Sequence, residues 1–349
     1  MNATNPSELV LTGEFREALQ RLHHGENVFL TGKAGTGKST LIREFMAHTR
    51  RNVVVVAPTG IAALNVGGYT IHRLLSLAPG MSPEEVRRGR YYPGRFAATL
   101  RELHTLIVDE ASMVRADLFD CLVAALERFG PKPGRKYGGV QLVLVGDLYQ
   151  LPPVVTDHER EYFATRYSTP YFFSADTYYR DDFATVELTT VFRQLGDDRL
   201  VDILNAVREG ALLEEARREL NARTDPDFTP PIDEFWLTLA TTNRIAGARN
   251  RRMLERLPAH SAFSTARITG DLDGMERPAE DVLEYKAGAQ IMLLTNDPAD
   301  RWVNGTLAKI TDTLFDDDGE PYVVVELPDG SRATVERHLW EVTRPSVAG

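Results

Sequence analysis

The run Gly32-Lys33-Ala34-Gly35-Thr36-Gly37-Lys38-Ser39 constrains this chain more than any other stretch of it. It follows a short apolar segment, Asn27–Leu30, and opens a stretch with helical spacing, Thr40–Arg50, which is the strand–loop–helix setting a phosphate-binding loop needs. Glycines at such spacing let the backbone curl until successive N–H groups face one point. The following helix adds the positive end of its dipole there. In this reading Gly32, Ala34, Gly35, Thr36, Gly37, Lys38, Ser39 and Thr40 cradle the phosphates of a nucleotide, Lys38 reaches the outer phosphates, and Ser39 holds Mg²⁺.

The neighbouring sequence extends the pattern. Val53–Ala57, Thr105–Val108 and Val140–Val145 are further short apolar runs, alternating with helical stretches after Gly60 and over Val114–Phe129. Buried runs of this length that alternate with helices predict an α/β fold, a parallel sheet covered on both faces. Between Leu75 and Arg95 the pattern breaks into Pro, Gly, Tyr and Arg, so a small inserted lobe is expected over about 75–100. The first domain is expected to span 1–185. A second is expected over 186–349, opening with a strand at Thr185–Leu188, two charged amphipathic helices at Asp197–Glu209 and Leu213–Ala222, a Pro-rich linker, a buried strand at Phe235–Ala240 and a helix over Arg244–Leu257. Beyond about 267 the texture is β-rich: Gln290–Leu294, Thr306–Thr311, a hairpin at Asp316–Glu320, Tyr322–Leu327 and Ala333–Val335.

Composition narrows the function classes. A formal net charge of −10 argues against a protein that coats nucleic acid by bulk attraction, although a local basic groove remains open, with arginine-rich stretches at 87–101, 132–136 and 249–256. Cys121 is the only cysteine, so the chain has no intrachain disulfide and no cysteine-based metal site of its own. No apolar stretch has the length of a membrane span, and the first residues lack the order of a secretory signal. A cytoplasmic protein without a membrane partner is expected.

Three further segments carry chemistry. Leu106-Ile107-Val108 ends in Asp109-Glu110, and a parallel sheet displays such carboxylates at its carboxyl edge, where nucleotides bind. Asp109 is expected beside the metal ion and Glu110 beside the attacking water, which makes the reaction hydrolysis. Val145-Gly146-Asp147-Leu148-Tyr149-Gln150 closes the next strand, and Gln150 there can sense a γ-phosphate. Arg193 is the candidate arginine finger.

Taken together these residues resemble the Pif (petite integration frequency) branch of superfamily one DNA helicases, and more distantly its RecD-like relatives. The blocks appear in order: Gly32–Thr40, Ala57–Ala63, Thr70-Ile71-His72, Val108–Val114, Tyr137–Leu142, Gly146–Pro153, Leu188–Gln194, Ala240–Asn243, Gly288–Leu293 and Trp302–Thr306. The resemblance implies two RecA-like domains with ATP and Mg²⁺ in the cleft between them and 5′-to-3′ movement on single-stranded DNA. It also implies action on forked duplexes, RNA–DNA hybrids and G-quadruplexes, by a monomer. By the same resemblance Pro58, Thr59, Gly60, Thr70 and His72 touch DNA from the first domain, and Thr242, Asn243, Asn304 and Gly305 from the second. Hydroxyls, small amides and bare backbone suit a grip on sugar and phosphate, and His72 suits stacking on a base. Asn304-Gly305 reads equally as a hairpin turn.

The sequence departs from the family at two places. No Gln stands in Leu11-Thr12-Gly13-Glu14-Phe15, where many relatives read adenine, and no His-Lys-x-Gln-Gly-like or Ala-Leu-Ser-Arg-like block precedes Gly349. The second domain therefore reads as incomplete, by truncation, as a natural short form or with a partner chain supplying the rest, and activity is expected to be reduced. An ATP-driven DNA translocase is the leading reading. A nucleotide-gated single-strand binder that does not unwind is the alternative, and a clamp-loader or metabolic-kinase NTPase lacks the Asp109–Ser112 and Gly146–Gln150 blocks.

Overall fold

The computed structural model describes residues 12–78, 80–89, 91–156, 159–191, 198–211, 214–270, 279–295, 297, 299, 301–302, 305–316 and 319–340. The chain divides into two compact units, one running through Leu220 and the other from Asn221 to Thr343.

The first unit is organised by a six-stranded sheet in the order β3 (Tyr69–Thr70), β2 (Val53–Ala57), β4 (Thr105–Val108), β5 (Gln141–Val145), β1 (Asn27–Gly32), β6 (Phe183–Leu188). Every neighbouring pair is parallel. Alternation along each strand then sends side chains to two separate cores. Phe29, Val56, Leu106, Val108, Leu142 and Leu144 face one core, with α7 (Ala116–Phe129). Val28, Leu30, Val55, Ile107, Val143 and Val145 face the other, with Phe15, Leu22, Leu41 and Phe45 of α1 (Gly13–His24) and α2 (Lys38–His48). Both faces are therefore dry, so these strands read as unbroken apolar runs. Each fully buried Val, Leu or Ile contributes about 1.5–3 kcal/mol of transfer free energy.

The strand foreseen as the opening of a second domain belongs to this first sheet. β6 pairs with β1 from Asn27↔Phe183 to Gly32↔Leu188 and buries Val186 and Leu188 against the α1–α2 side. Its helices, α9 (Asp198–Arg208) and most of α10 (Glu214–Ala222), fall in the first unit too. The expected boundary at 185/186 thus lies inside a strand whose pairing partner is the phosphate-loop strand. Periodicity shows that a strand exists and says nothing of which sheet takes it. The segment of 75–100 packs as α5 (Pro83–Arg88) and α6 (Ala97–Arg101) over α7, and Leu75, Val86, Tyr91, Phe96 and Leu100 join the same core as the sheet.

In the second unit the described residues form α11 (Asn243–Glu255), an antiparallel pair β7 (Ala262–Thr265) and β8 (Val282–Tyr285), and a four-stranded antiparallel sheet. That sheet runs β12 (Arg332–Val335), β11 (Pro321–Glu326), β10 (Leu307–Phe315), β9 (Gln290–Met292). The hairpin expected at Asp316–Glu320 joins β10 to β11, with Glu320 N–H and carbonyl both engaged by Asp316. Trp302, Ile310, Val325 and Ala333 make this unit's core. The expected strand at Phe235–Ala240 is absent: no described segment pairs with it, and Phe235, Trp236, Leu237 and Leu239 are exposed. An apolar run becomes a strand only where a neighbour takes up its N–H and carbonyl groups.

Two buried carboxylates hold loops in place. Asp120 on α7 accepts hydrogen bonds from Tyr167 O–H (3.0 Å), Asp176 N–H (3.2 Å), Thr177 N–H (2.9 Å) and the Thr177 hydroxyl (2.7 Å). Asp120→Ala strands these donors and should cost about 3–5 kcal/mol of stability by chemical denaturation. In the second unit, Asp297 accepts from Arg301 Nε (2.8 Å) and Nη2 (2.7 Å), and the Arg301 guanidinium holds its carboxyl down at about 2. A depressed folded pKa stabilises above the unfolded value near 4 and loses that contribution as pH falls through the folded value. Melting of the second unit should therefore weaken between about pH 4 and pH 2, and Asp297→Asn should flatten that part of the profile.

Candidate nucleotide and nucleic-acid site

The carboxyl edge of the first sheet collects the chemistry. β1 ends at Gly32, whose φ of +146° and close neighbours leave no room for a side chain: a Cβ there would lie 2.4 Å from the Leu188 carbonyl oxygen and 2.9 Å from Thr36 Oγ1. The loop then turns through Gly35 (φ +80°) and Gly37 (φ +88°), the latter serving as N-cap of α2. Thr36, 1% exposed, donates its hydroxyl to the Lys33 carbonyl at 2.8 Å and ties the curl from within. Lys38, at the first turn of α2, donates to the carbonyls of Gly32 (2.6 Å) and Lys33 (3.0 Å). Burial pulls its pKa below the usual lysine value, against the pull of Asp147, Glu110 and Asp109. An ammonium has three donors, so one remains for a ligand oxygen. Ala34 lies in the loop, and Ser39 and Thr40 follow Lys38 on α2.

β4 ends at the carboxylate pair. Asp109 Oδ1 accepts from Glu110 N–H at 2.9 Å, and Glu110 takes a left-handed conformation (φ +50°, ψ 42°) that is rare for a non-glycine residue. Burial raises both carboxyl pKa values; Asp109 adds to the rise at Glu110, and Lys38 opposes it at both. Two carboxylates whose charge is costly here, with the part-buried Lys38 ammonium near them and Ser39 in the first turn of α2, form a donor set suited to a divalent cation. Among the described residues no cluster of three or more His, Cys, Asp or Glu could hold a metal unaided.

β5 ends at Gly146-Asp147. The Asp147 carboxylate, 2% exposed, accepts from Arg208 Nη1 (2.6 Å), Tyr149 N–H (3.1 Å) and Gln150 Nε2 (3.1 Å). Burial alone would raise its pKa, but Arg208, the Tyr149 N–H and the Gln150 amide outweigh that and hold it below the ordinary aspartate value. The Arg208 guanidinium also lies 4.2 Å from the centre of the Tyr149 ring. Just past the end of α9, Glu209 meets Lys33 of the phosphate loop at 3.3 Å.

The expected DNA contacts of the first domain lie at the other end of the same edge. Pro58, Thr59 and Gly60 follow β2, and Thr70 and His72 follow β3 into α4 (Ile71–Leu75). Thr59 Oγ1 accepts from Ala62 N–H at 3.3 Å and Thr70 Oγ1 from Arg73 N–H at 3.1 Å, so both hydroxyls also cap helices. His72 is exposed and borders a cavity of about 120 Å³ lined by Arg115, Asp117 and Glu159. In the second unit Thr242 caps α11 by accepting from Ile245 N–H at 3.3 Å, Asn243 opens that helix, and Gly305 (φ +93°) makes a turn whose N–H reaches the Leu293 carbonyl at 2.7 Å. Arg193 and Asn304 lie outside the described residues.

The sequence profile of the PIF1-like helicases matches residues 11–218, well over half of the chain. The chain belongs to the PIF1-like helicase family. It is 33% identical to the ATP-dependent DNA helicase PIF1 of Saccharomyces cerevisiae over 91% of its own length, and spans 37% of that protein. Solved structures agree. The PIF1-like fold here superposes on Bacteroides Pif1 bound to single-stranded DNA with a TM-score of 0.79 at 29% identity, covering 98% of this chain and 77% of that one. It superposes with the same score and identity on Bacteroides Pif1 in complex with ADP-AlF3 and single-stranded DNA, covering 95% and 76%.

At this sheet edge the structure brings Lys38 near Asp109, Glu110 and Asp147, and Gln150 joins them through its hydrogen bond to Asp147. It adds Asp147, Tyr149 and Lys33, which the motifs contain but to which the sequence reading gave no role, and Arg208 and Glu209, which no motif contains. Arg208 ends a charged amphipathic helix, where a buried functional arginine and a solvated one look alike. Gly32→Ala should lower stability by about 1–3 kcal/mol, because its strained backbone and the Leu188 carbonyl leave Cβ no place. The same variant should weaken binding of a fluorescent ATP analogue by at least about tenfold; unchanged binding would detach the tight turn from phosphate recognition.

Proposed function

We propose that this chain is an ATP-hydrolysing DNA motor that moves 5′ to 3′ on single strands and opens forked duplexes, with RNA–DNA hybrids and G-quadruplexes as further substrates and a monomer as the working form. The convergence of Lys38, Asp109, Glu110 and Asp147–Gln150 on one sheet edge carries this reading, together with membership of a family whose relatives are DNA helicases. Among the described residues no helix is long and apolar enough to cross a membrane.

The curled loop at Gly32–Ser39 binds the phosphates of ATP through its N–H groups, and Lys38 holds the outer ones. Ser39 and Asp109 would hold Mg²⁺, which when bound would offset the negative charge that builds up on the phosphates. Glu110 accepts a proton from the attacking water. Gln150 orients that water or feels the γ-phosphate. Arg193 supplies transition-state charge as a finger. Pro58, Thr59, Gly60, Thr70 and His72 grip the strand from the first unit, and Thr242, Asn243, Asn304 and Gly305 from the second, by hydroxyl, amide and backbone contacts that carry no base preference.

ATP hydrolysis measured with and without a single-stranded oligonucleotide tests the reading. DNA should stimulate turnover, Lys38→Ala should lower it by about 100-fold or more with weakened nucleotide binding, and Glu110→Gln should lower it comparably while nucleotide binding is kept. A rate indifferent to DNA, or to loss of the Lys38 ammonium, sinks the motor reading. Nucleotide-dependent DNA binding without strand separation would instead leave a gated single-strand binder.

A further inference from the structure

Arg208 stands apart among the arginines of α9 and its surroundings. Its side chain is only 17% exposed and its partner, the Asp147 carboxylate, 2%. The contact spans 61 positions of sequence and joins the last residue of α9 to the turn that follows β5. Glu209 beside it reaches Lys33, so the end of α9 is tied to both loops that flank the phosphate position.

The chemistry of the three-residue chain is directional. An ionised carboxylate can only accept hydrogen bonds, and a glutamine amide has a donating and an accepting side. Because Gln150 turns its Nε2 to Asp147 Oδ2, its carbonyl oxygen faces away from Asp147. An oxygen so presented accepts from a water molecule, which is the sense needed to aim a lone pair of that water at a phosphorus atom. Asp147 can fix this orientation only while it stays ionised and still, and Arg208, with the Tyr149 N–H, holds it so. The guanidinium in turn lies over the Tyr149 ring, 4.2 Å from its centre.

We propose that Arg208 is a positioning residue for hydrolysis: through Asp147 it sets which way the Gln150 amide faces. This rests on the reading of the chain as an ATPase, and it differs from a mere tie between helix and sheet in one respect. A tie stabilises the fold; a positioning chain fails at one chemical step.

Steady-state ATP turnover with single-stranded DNA, binding of a fluorescent ATP analogue, and thermal melting are compared for the wild-type chain, Arg208→Ala, Arg208→Lys, Asp147→Asn, Gln150→Ala and the double variant Arg208→Ala/Gln150→Ala. Arg208→Ala should lower kcat about tenfold or more while analogue affinity changes less than about threefold. Arg208→Lys should recover most of that loss, and the double variant should be no slower than the slower single variant within about twofold, since both act through one amide. Asp147→Asn, which keeps the side chain's shape but lets it donate and so frees Gln150 to flip, should reproduce the kcat loss; it decides the matter if Arg208→Ala melts too low to assay. Independent, multiplying losses in the double variant, a kcat unchanged in Arg208→Ala or Asp147→Asn, or a loss explained wholly by weaker analogue binding would overturn the positioning role. A wild-type chain without DNA-stimulated hydrolysis would overturn the ATPase reading, and this inference with it.

Discussion

The parallel pairing of β1 between β5 and β6 is the constraint on which the rest of the first unit depends. Parallel ladders put all strand ends of one sense along one edge, so the residues that leave β1, β4 and β5 meet there without any long-range instruction of their own. The pairing also needs both faces covered, and the alternation of Val28 and Leu30 against Phe29 supplies apolar surface to each side. Gly32 closes the arrangement, because the β6 carbonyl of Leu188 approaches the backbone too closely for any side chain at that position. Phosphate loop and outer strand are thereby one packing unit.

Charge at that edge is arranged against its own desolvation cost. Lys38, Asp109, Glu110, Asp147 and Arg208 are all wholly or partly withdrawn from water, and each is placed near an opposite charge. Asp147 is satisfied within the protein by Arg208, Tyr149 and Gln150. Asp109 and Glu110 are less so, and their ionisation is disfavoured. The imbalance marks where a cationic ligand relieves the most strain, since a group already compensated gains little from a new partner.

The two ends of the sheet edge differ in chemistry. Around β4, β5 and β1 the groups are charged and partly buried, as phosphate and metal chemistry demands. Around β2 and β3 they are hydroxyls and an exposed imidazole at helix starts, where the half-buried Thr59 and Thr70 both cap a helix. A hydroxyl that caps is held rigidly, and a rigid hydroxyl loses little entropy on meeting a strand of nucleic acid. The second unit offers a helix-capping hydroxyl at Thr242 and bare turn backbone at Gly305.

Local signals sufficed for much of this. The four apolar runs of β1, β2, β4 and β5, the glycine spacing of the loop, the Asp109-Glu110 pair and the hairpin at Asp316 each follow from interactions among near neighbours, so period, backbone freedom and strand-end chemistry announce them in one dimension. Tertiary structure decided what depends on distant partners. Thr185–Leu188 joined the first sheet because β1 had a free edge for it, and Phe235–Ala240 formed no strand because no described segment pairs with it. Arg208 became part of the site because α9 folds back on Asp147, a contact between residues 61 positions apart whose burial and direction no stretch of helix sequence can express.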